Sequence, residues 1–568
     1  MVRICKIEIR NFRGISKLDW LPKPGINCLV ASGDSGKSSI LDAIDWCLAP
    51  RRSLPVSDAD FHNLQVETPI EIVLTLGNLS DSLKGLDGYG MFLRGFNPET
   101  GDTEDEPEES LETVLTARLE INADLEPEWS LVSDLAAEQG NERFLKWKHR
   151  QTLAPTRIGA YASHHLSWQR GSLLTQISEE KADASAALAE SSRKAREAFG
   201  DSAQSRLSKT LDIVKGTANN LGINHGETVR ALLDAQSVSF SGGTISLHNE
   251  KGIPLKKLGS GSSRLLVAGL QKHRGAESAI AIVDEIEHGL EPHRISRLLT
   301  TLGAKNKDIP RQVFMTTHSP AVLRELSGDQ VHIVRLEGDN HEVMFAGSEN
   351  AIQAGLRRSA EAFFGLRVIV CEGSTEVGFI RGLDLYRADS GMKTLLAEGA
   401  VTVDAGGVSL IYSGTQAFSK LGYPVAVLRD DDVAPSVDDE NKFIDSGGKV
   451  FKWQKGSAIE DAIFNSVSDD TAVELVRYAI SIDGETLVRD HIASTAGKAV
   501  DIEDLLKNMD VEGRALMGRA AKSGSWFKSI SKMEDATREI IGPNLLSCDQ
   551  SFIATIKGIF EWCGLSDD

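Results

Sequence analysis

INCLVASGDSGKSSILDAIDWCLA, residues 26–49, is the stretch on which the fold turns. INCLV reads as a buried strand and SSILDAIDWCLA as a helix, with the glycine-rich turn ASGDSGKSS (31–39) overlapping the helix start. Such a turn aims backbone N–H groups and a helix N-terminus at one point, which is how a chain cradles phosphate. In that cradle Lys37 reaches the terminal phosphates and Ser38 a Mg²⁺ ion, while Gly33, Ser35, Gly36 and Ser39 complete the loop. The usual pattern opens with glycine where this chain has Ala31; Gly33 and Gly36 still relieve the turn.

Three further stretches complete a nucleotide engine. AIAIVDEIE (279–287) is an apolar strand ending in Asp284 and Glu285. One carboxylate of such a pair suits Mg²⁺ and the other polarises an attacking water. KKLGSGSSRLL (256–266) sets a Gly/Ser loop, centred on Gly261, ahead of a helix. VFMTTHSP (313–320) places His318 directly after a strand, where it can sense a γ-phosphate; taken alone it reads as a satisfied strand-end residue. Phosphate loop, Gly/Ser signature, strand-Asp-Glu and strand-His occur in the order of an ABC-type ATPase head. The stretch 166–235 between its halves is rich in Ala, Glu, Lys and Leu, and reads as a helical insertion, either a packed hairpin or a dimerisation arm. The expected division is 1–165 and 236–350 for the head, 166–235 for the insertion, 360–470 for a second α/β domain and 471–568 for a helical C-terminal region.

The second domain carries a carboxylate pattern. VIVCEGSTEVGFI (368–380) is a strand followed by Glu372, with Glu376 in the first turn of a helix. VTVDAGGV (401–408) runs a strand into a glycine turn, and VAVLRDDDV (425–433) ends a strand on three aspartates. In extended backbone Asp430 and Asp432 share one face, and Asp431 is expected to be a solvated bystander. KWQKGSAIEDAI (452–463) adds Glu460 at a helix start, either a further ligand or a plain dipole partner. AAKSGSWFKSI (520–530) offers Lys522 and Lys528 around an aromatic pair, as phosphate-stabilising cations or as surface lysines. Strand-E-G-x-x-E, strand-G-G and strand-D-x-D is the pattern of a Toprim domain. Its hard oxygen donors suit Mg²⁺ or Mn²⁺, and a pair of ions there can activate water at a phosphodiester.

An ABC head followed in one chain by these carboxylates resembles the OLD (overcoming lysogenisation defect) family of nucleases. The compact insertion looks more like the class that includes the nuclease subunit of the Gabija anti-phage system. The resemblance implies a homodimer or larger assembly, and ATP-regulated, metal-dependent cleavage of DNA with two ions. It also implies action beside a UvrD-type helicase. Residue by residue, Glu372, Glu376, Asp430, Asp432 and Glu460 match the metal ligands, with Glu372 and Asp430 at the chemistry. Lys528, in W-F-K, matches the catalytic lysine ahead of Lys522. The alternatives are an SMC-like DNA-binding ATPase without nuclease activity, or a topoisomerase- or primase-type enzyme.

Bulk properties set the remaining bounds. The 568 residues carry a formal net charge of −20. That balance disfavours nucleic acid as a partner, unless a local basic groove or bound metal offsets it. Six scattered cysteines give no zinc or disulfide spacing. No apolar run is long enough to span a bilayer and the N-terminus lacks a signal peptide's apolar core, so a cytoplasmic protein is expected.

Overall fold

In the computed structural model, strand β1 (Arg3–Phe12) pairs antiparallel with β2 (Ile15–Trp20), and β3 (Ile26–Val30) leads into the phosphate loop. There follow β4 (Ile70–Gly77), β5 (Leu93–Phe96), β6 (Thr103–Glu104), β7 (Glu112–Ile121) and β8 (Pro127–Val132). The short β9 (Thr156–Arg157), β10 (Ser167–Trp168) and β11 (Ile245–Ser246) come next, then β12 (Ile280–Val283), β13 (Gln312–Thr316), β14 (Val331–Glu337) and β15 (Asn340–Phe345). The last four are β16 (Arg367–Cys371), β17 (Ala400–Asp404), β18 (Val425–Arg429) and β19 (Lys449–Lys452). The structure describes residues 2–159, 162–168, 172–177, 190, 194, 206–220, 245–271, 280–306 and 311–565. These fall into two compact units, one of 1–155, 277–287 and 291–568, the other of 156–276 with 288–290.

The larger unit holds a mixed sheet in the order β6-β5-β7-β4-β1-β2-β15-β14-β3-β13-β12. At its heart β14, β3, β13 and β12 run parallel. Every residue of β3, β12 and β13 is buried, as a parallel strand covered on both faces requires. The antiparallel wing alternates instead: β1 turns Ile7 and Ile9 inward and leaves Lys6, Glu8 and Arg10 half-buried. Thr103 and Glu104 pair with β5, and Asp105 holds the buried Arg94 at 2.8 Å.

A second, all-parallel sheet in the same unit has the order β17-β16-β18-β19. The chain leaves β16 to build β17 on one side and then β18 on the other, so β16 is a switch point. In such sheets ligands bind in the crevice beyond the carboxyl ends of the strands at that point. Glu372 follows β16, Asp404 ends β17 and Asp430 follows β18, all at that end. Helices Asp469–Asp483, Glu485–Ala496, Val511–Gly524, Ile530–Ala536 and Gln550–Trp562 build the C-terminal region around the fully buried Trp526 and the nearly buried Phe527.

In the smaller unit, the Gly/Ser stretch expected as a loop ahead of a helix is instead the first turn of helix Ser260–Leu270, capped by Gly259 and with Gly261 inside it. Arg264 is buried there and donates from Nη1 to His288 O at 2.8 Å. A Cβ at Gly261 would stand 2.4 Å from Gly289 O, so the approach demands glycine. Of the expected 166–235 insertion, the helices Leu173–Ile177 and Ser208–Asn220 are described. The greater part of it, and with it the dimerisation arm, lies outside the described residues.

Candidate functional site

Gly36 takes a left-handed conformation, φ 74°, and caps helix Lys37–Leu48. The Lys37 ammonium turns back over the loop, donating to Ala31 O at 3.3 Å, Ser32 O at 2.8 Å and Ser35 Oγ at 3.1 Å. Burial lowers its pKa, opposed by the charges of Asp34 and Asp284. The Ala31 side chain is buried in the sheet's core, which is how the departure from glycine is accommodated. Gly33 is exposed at the loop's tip and Ser39 half-buried in the first helical turn.

The parallel strands bring distant residues onto this loop. Ser38 Oγ donates to Asp284 Oδ1 at 3.2 Å across 246 positions of sequence, and Thr316 Oγ1 donates to the same oxygen at 2.6 Å. A hydroxyl and a carboxylate are thereby set side by side as hard oxygen donors for Mg²⁺. Glu285 is exposed and held at φ 44°, its N–H donating to Thr316 Oγ1 at 2.8 Å. A left-handed glutamate is strained backbone of the kind found at functional turns. His318 is also exposed, and its N–H donates to Glu287 Oε1 at 2.7 Å. Glu287 takes a second hydrogen bond from Thr317 Oγ1 at 2.7 Å, so this carboxylate, which sequence reasoning passed over, shapes the histidine loop. Its signal was a third acid two residues past Glu285. Gly261 belongs to the other unit.

At the switch point of the parallel sheet the carboxylates draw together. Asp430 N–H donates to Glu372 Oε2 at 3.1 Å, and Gly373 N–H to Glu376 Oε2 at 2.8 Å. Glu376 and Glu460 are 3% and 6% exposed, far less than acids normally are. Burial and then the charges of Glu376, Glu372, Glu460 and Asp432 push the Asp430 carboxyl well above the usual range. Glu376 rises through burial and the nearby Glu460 and Glu372, Glu372 through burial and Asp432, and Glu460 through burial and Asp461. Apolar Ile463, Phe464, Leu475, Phe527 and Met533 line a pocket with Glu460, which accounts for its desolvation.

Asp430 Oδ1 is buried with no hydrogen-bond partner. An orphaned carboxylate oxygen amid four other acids fits a hard divalent cation, and the donor set is all oxygen. The side chains as placed are turned to other partners: Glu372 and Glu376 accept from backbone N–H groups, and Asp432 Oδ2 takes Lys522 Nζ at 2.6 Å. Among the described residues no three His, Cys, Asp or Glu side chains stand in an arrangement that clasps an ion. A cation would hold Glu372, Asp430 and Asp432 only after displacing those contacts.

Asp431 corrects its expected part. Its N–H donates to Ser457 O at 3.1 Å, its Oδ2 accepts from Gly456 N–H at 3.3 Å, and its Oδ1 faces Arg429 at 3.4 Å and Lys452 at 3.5 Å. Arg429 in turn is buried and paired with Glu440 at 3.0 Å. Far from being a bystander, Asp431 ties the end of β18 to the loop before helix Ile459–Ser466, which carries Glu460. The reach of its side chain across to that loop cannot be read from alternation along one strand.

Both lysines stand at this crevice, in unequal ways. Lys522 pairs with Asp432 and also acts on Glu460 through its charge, as Lys528 does more weakly. The helix that follows them, Ile530–Ala536, is seated by two glycines on helix Ser374–Asp389. A Cβ at Gly378 would lie 2.5 Å from Ile530 O, and one at Gly382 2.5 Å from Glu534 O. This glycine face, one turn long, lets helix Ile530–Ala536 pack against the helix that carries Glu376. The G-x-x-x-G in VGFIRGLD was its signal in the sequence.

Comparison with known proteins agrees with the phosphate loop. Over 67 residues the chain is 34% identical to the DNA replication and repair protein RecF of Prosthecochloris aestuarii (strain DSM 271 / SK 413). That match is 12% of this chain and spans 18% of RecF's length. Among solved structures, the SMC head domain from Thermotoga maritima is 15% identical, with TM-score 0.29, over 60% of this chain and 98% of its own. The Smc head domain with an extended coiled coil, bound to the C-terminal domain of ScpA derived from Pyrococcus furiosus, is 13% identical. Its TM-score is 0.32, over 61% of this chain and 96% of that one. Likenesses this distant carry no argument. The loop, Asp284 and His318 all lie within residues 26–324, which match one family model, and the chain belongs to that family of P-loop ATPases, described as AAA domain, putative AbiEii toxin, Type IV TA system.

Proposed function

We propose that this ATP-binding protein is a nucleotide-controlled, divalent-metal-dependent DNA endonuclease whose chemical centre is the carboxylate crevice at the β16 switch point, a Toprim-like site. The observation that carries the reading is Asp430, a half-buried side chain whose Oδ1 is itself buried and unpartnered, crowded by Glu372, Glu376 and Glu460. A fold does not bear the cost of such crowding for its own stability. Glu372, Asp430 and Asp432 would hold the cation, with Glu376 and Glu460 behind them. When bound, a divalent ion there supplies Lewis-acid activation of water and neutralises charge at a phosphodiester. Lys522, freed from Asp432, presents its ammonium to a phosphate oxygen, and Asp431 keeps the two acid-bearing segments in register. RecF's name links that relative to DNA replication and repair, which supports DNA as the substrate. A homo-oligomer, a helicase partner and a role in anti-phage defence follow from the OLD-like resemblance and belong to the same proposal.

A second reading, an SMC-like DNA-binding ATPase without nuclease activity, draws on a specific observation: no three acids stand in an ion-clasping arrangement among the described residues. Incubating supercoiled plasmid with the purified protein in Mg²⁺ or Mn²⁺, with and without ATP, beside Asp430→Ala, separates the two. Metal-dependent nicking lost in the variant supports the nuclease. DNA binding and ATP turnover with no cleavage under any condition supports the other reading.

A further inference from the structure

One two-stranded element of the larger unit touches both the phosphate loop and the strand that carries Asp430. Strands β14 and β15 form an antiparallel hairpin with six paired positions, His332↔Phe345 to Glu337↔Asn340. At one end of β15, His341 packs on the phosphate loop: a Cβ at Gly36 would stand 3.0 Å from His341 Nε2 and 3.3 Å from Ile15 Cγ1. His341 is 6% exposed, and its Nδ1 is buried without a partner. On β14, Arg335 leaves the head's sheet and grips the turn before β18. Its guanidinium lies 4.0 Å over the Tyr423 ring, and Nη1 donates to Gly422 O. Gly422 makes that turn at φ 68°, and the Tyr423 hydroxyl is anchored on Phe363 O at 2.7 Å. Two residues, Tyr423 and Pro424, separate Gly422 from the buried strand β18, which ends at Arg429 just before Asp430.

We propose that the β14–β15 hairpin is the coupling element through which nucleotide at the phosphate loop sets the position of β18 and its aspartates. Phosphate binds such a loop through its backbone N–H groups, Gly36 among them. A displaced Gly36 meets His341 directly, and a close-packed interior passes the displacement on rather than absorbing it. The hairpin's ladder moves His341 and Arg335 together, since Leu336, the next residue after Arg335, is paired with His341 itself. Arg335 acts twice on one turn, by stacking and by a charge-assisted hydrogen bond, so the turn follows it. Hairpin and turn then form a bistable joint, with ATP favouring one position by its tighter binding there. The inference depends on the preceding proposal for what β18 does at its end, and not for whether β18 moves.

Hydrogen exchange tests it without DNA or cleavage. Backbone amides of residues 424–432 are followed in the full chain, with and without Mg²⁺ and the slowly hydrolysed analogue ATPγS, in wild type, Arg335→Ala and Tyr423→Leu. The expected result is a change of about fivefold or more in exchange of the 424–432 segment on adding ATPγS to wild type. In Arg335→Ala the response falls below about twofold while ATPγS still binds with near wild-type affinity. Tyr423→Leu removes the stacking face from the other side and is expected to match it. A wild type whose 424–432 amides ignore the nucleotide overturns the proposal, as does a full response in both variants. A protein that passes this test yet cuts no DNA would sink the nuclease reading alone, and one that cuts DNA without the exchange response would sink the hairpin alone.

Discussion

Lys522 Nζ stands 2.6 Å from Asp432 Oδ2, a contact that closes the crevice from the side of helix Val511–Gly524. Both side chains are partly exposed, so the pair's worth to stability is small, of the order of 1 kcal/mol or less. Its interest is positional: the lysine is poised on an acid of the proposed centre. Burial works against the Lys522 charge, yet Asp432, Asp461 and Asp430 raise its pKa, so it remains an ammonium.

Lys522→Ala is therefore expected to reduce metal-dependent cleavage by roughly 100-fold or more, the usual cost of losing a cation that stabilises transferring phosphate. Lys528→Ala, which removes a charge acting on Glu460 at longer range, is expected to cost about tenfold or less. Steady-state nicking of plasmid by both variants decides between them. The opposite ranking would return the chemical role to the W-F-K lysine.

Asp430→Asn is expected to stabilise the metal-free protein. A carboxyl raised in the folded state costs nothing below its unfolded pKa of about 4, where both states are protonated. The cost grows as pH rises toward the folded value and persists above it. The stability advantage of Asp430→Asn over wild type, read as a higher melting temperature, should accordingly be near zero at about pH 4 and grow up to pH 8, by no more than about 1.4 kcal/mol for each pH unit. Mn²⁺ should narrow that gap by stabilising only the wild type. A variant less stable than wild type at neutral pH would mean Asp430 is a structural residue.

What the sequence disclosed follows from the range of the interactions involved. The phosphate loop, Asp284 and the run of strands were legible because buried parallel strands are written as short apolar runs and their ends as polar punctuation. Ser38 and one carboxylate of the Asp284–Glu285 pair were expected at one ion from chemistry alone, and the 3.2 Å contact shows which of the two acids stands beside Ser38. Asp431 was misjudged because alternation describes a strand and says nothing of a side chain that bridges to Gly456 across a loop. The ranking of Lys528 ahead of Lys522 rested on the W-F-K resemblance alone, because where helix Val511–Gly524 ends relative to β18 is not written in the local sequence. Gly378 and Gly382 were visible as letters and went unread, since their partners at Ile530 and Glu534 lie about 150 residues away, a separation no local principle bridges.

The glycine face gives a prediction with its own control. Gly378→Ala places a methyl 2.5 Å from Ile530 O and 2.9 Å from Met533 Cβ, and neither can yield without moving helix Ile530–Ala536. A loss of about 1–3 kcal/mol is expected, the common cost of overpacking. Gly414→Ala, in helix Ile411–Lys420, meets only Val370 Cγ1 at 3.6 Å and should gain up to about 1 kcal/mol from helix propensity. Urea unfolding of the two variants reads both signs, and equal behaviour would mean the close approach is not what seats helix Ile530–Ala536.

Ser38 and Asp284 supply the last expectation, because a shared ion separates the loop's phosphate grip from its metal grip. Asp284→Asn keeps an oxygen that can accept from Ser38 Oγ and Thr316 Oγ1, so the fold around β12 and β13 should survive. The negative charge that makes the pair a Mg²⁺ site is gone. Calorimetric titration with ATP, in Mg²⁺ and in excess chelator, should show wild type binding more tightly with the ion. The variant should lose about tenfold of that advantage, some 1.4 kcal/mol, while its metal-free affinity stays close to normal. Lys37→Ala should weaken both affinities, since the ammonium that now rests on Ala31 O and Ser32 O is the loop's own counter-charge to phosphate. If Asp284→Asn weakened binding equally with and without Mg²⁺, the carboxylate would be bracing the loop through Ser38 rather than holding the ion.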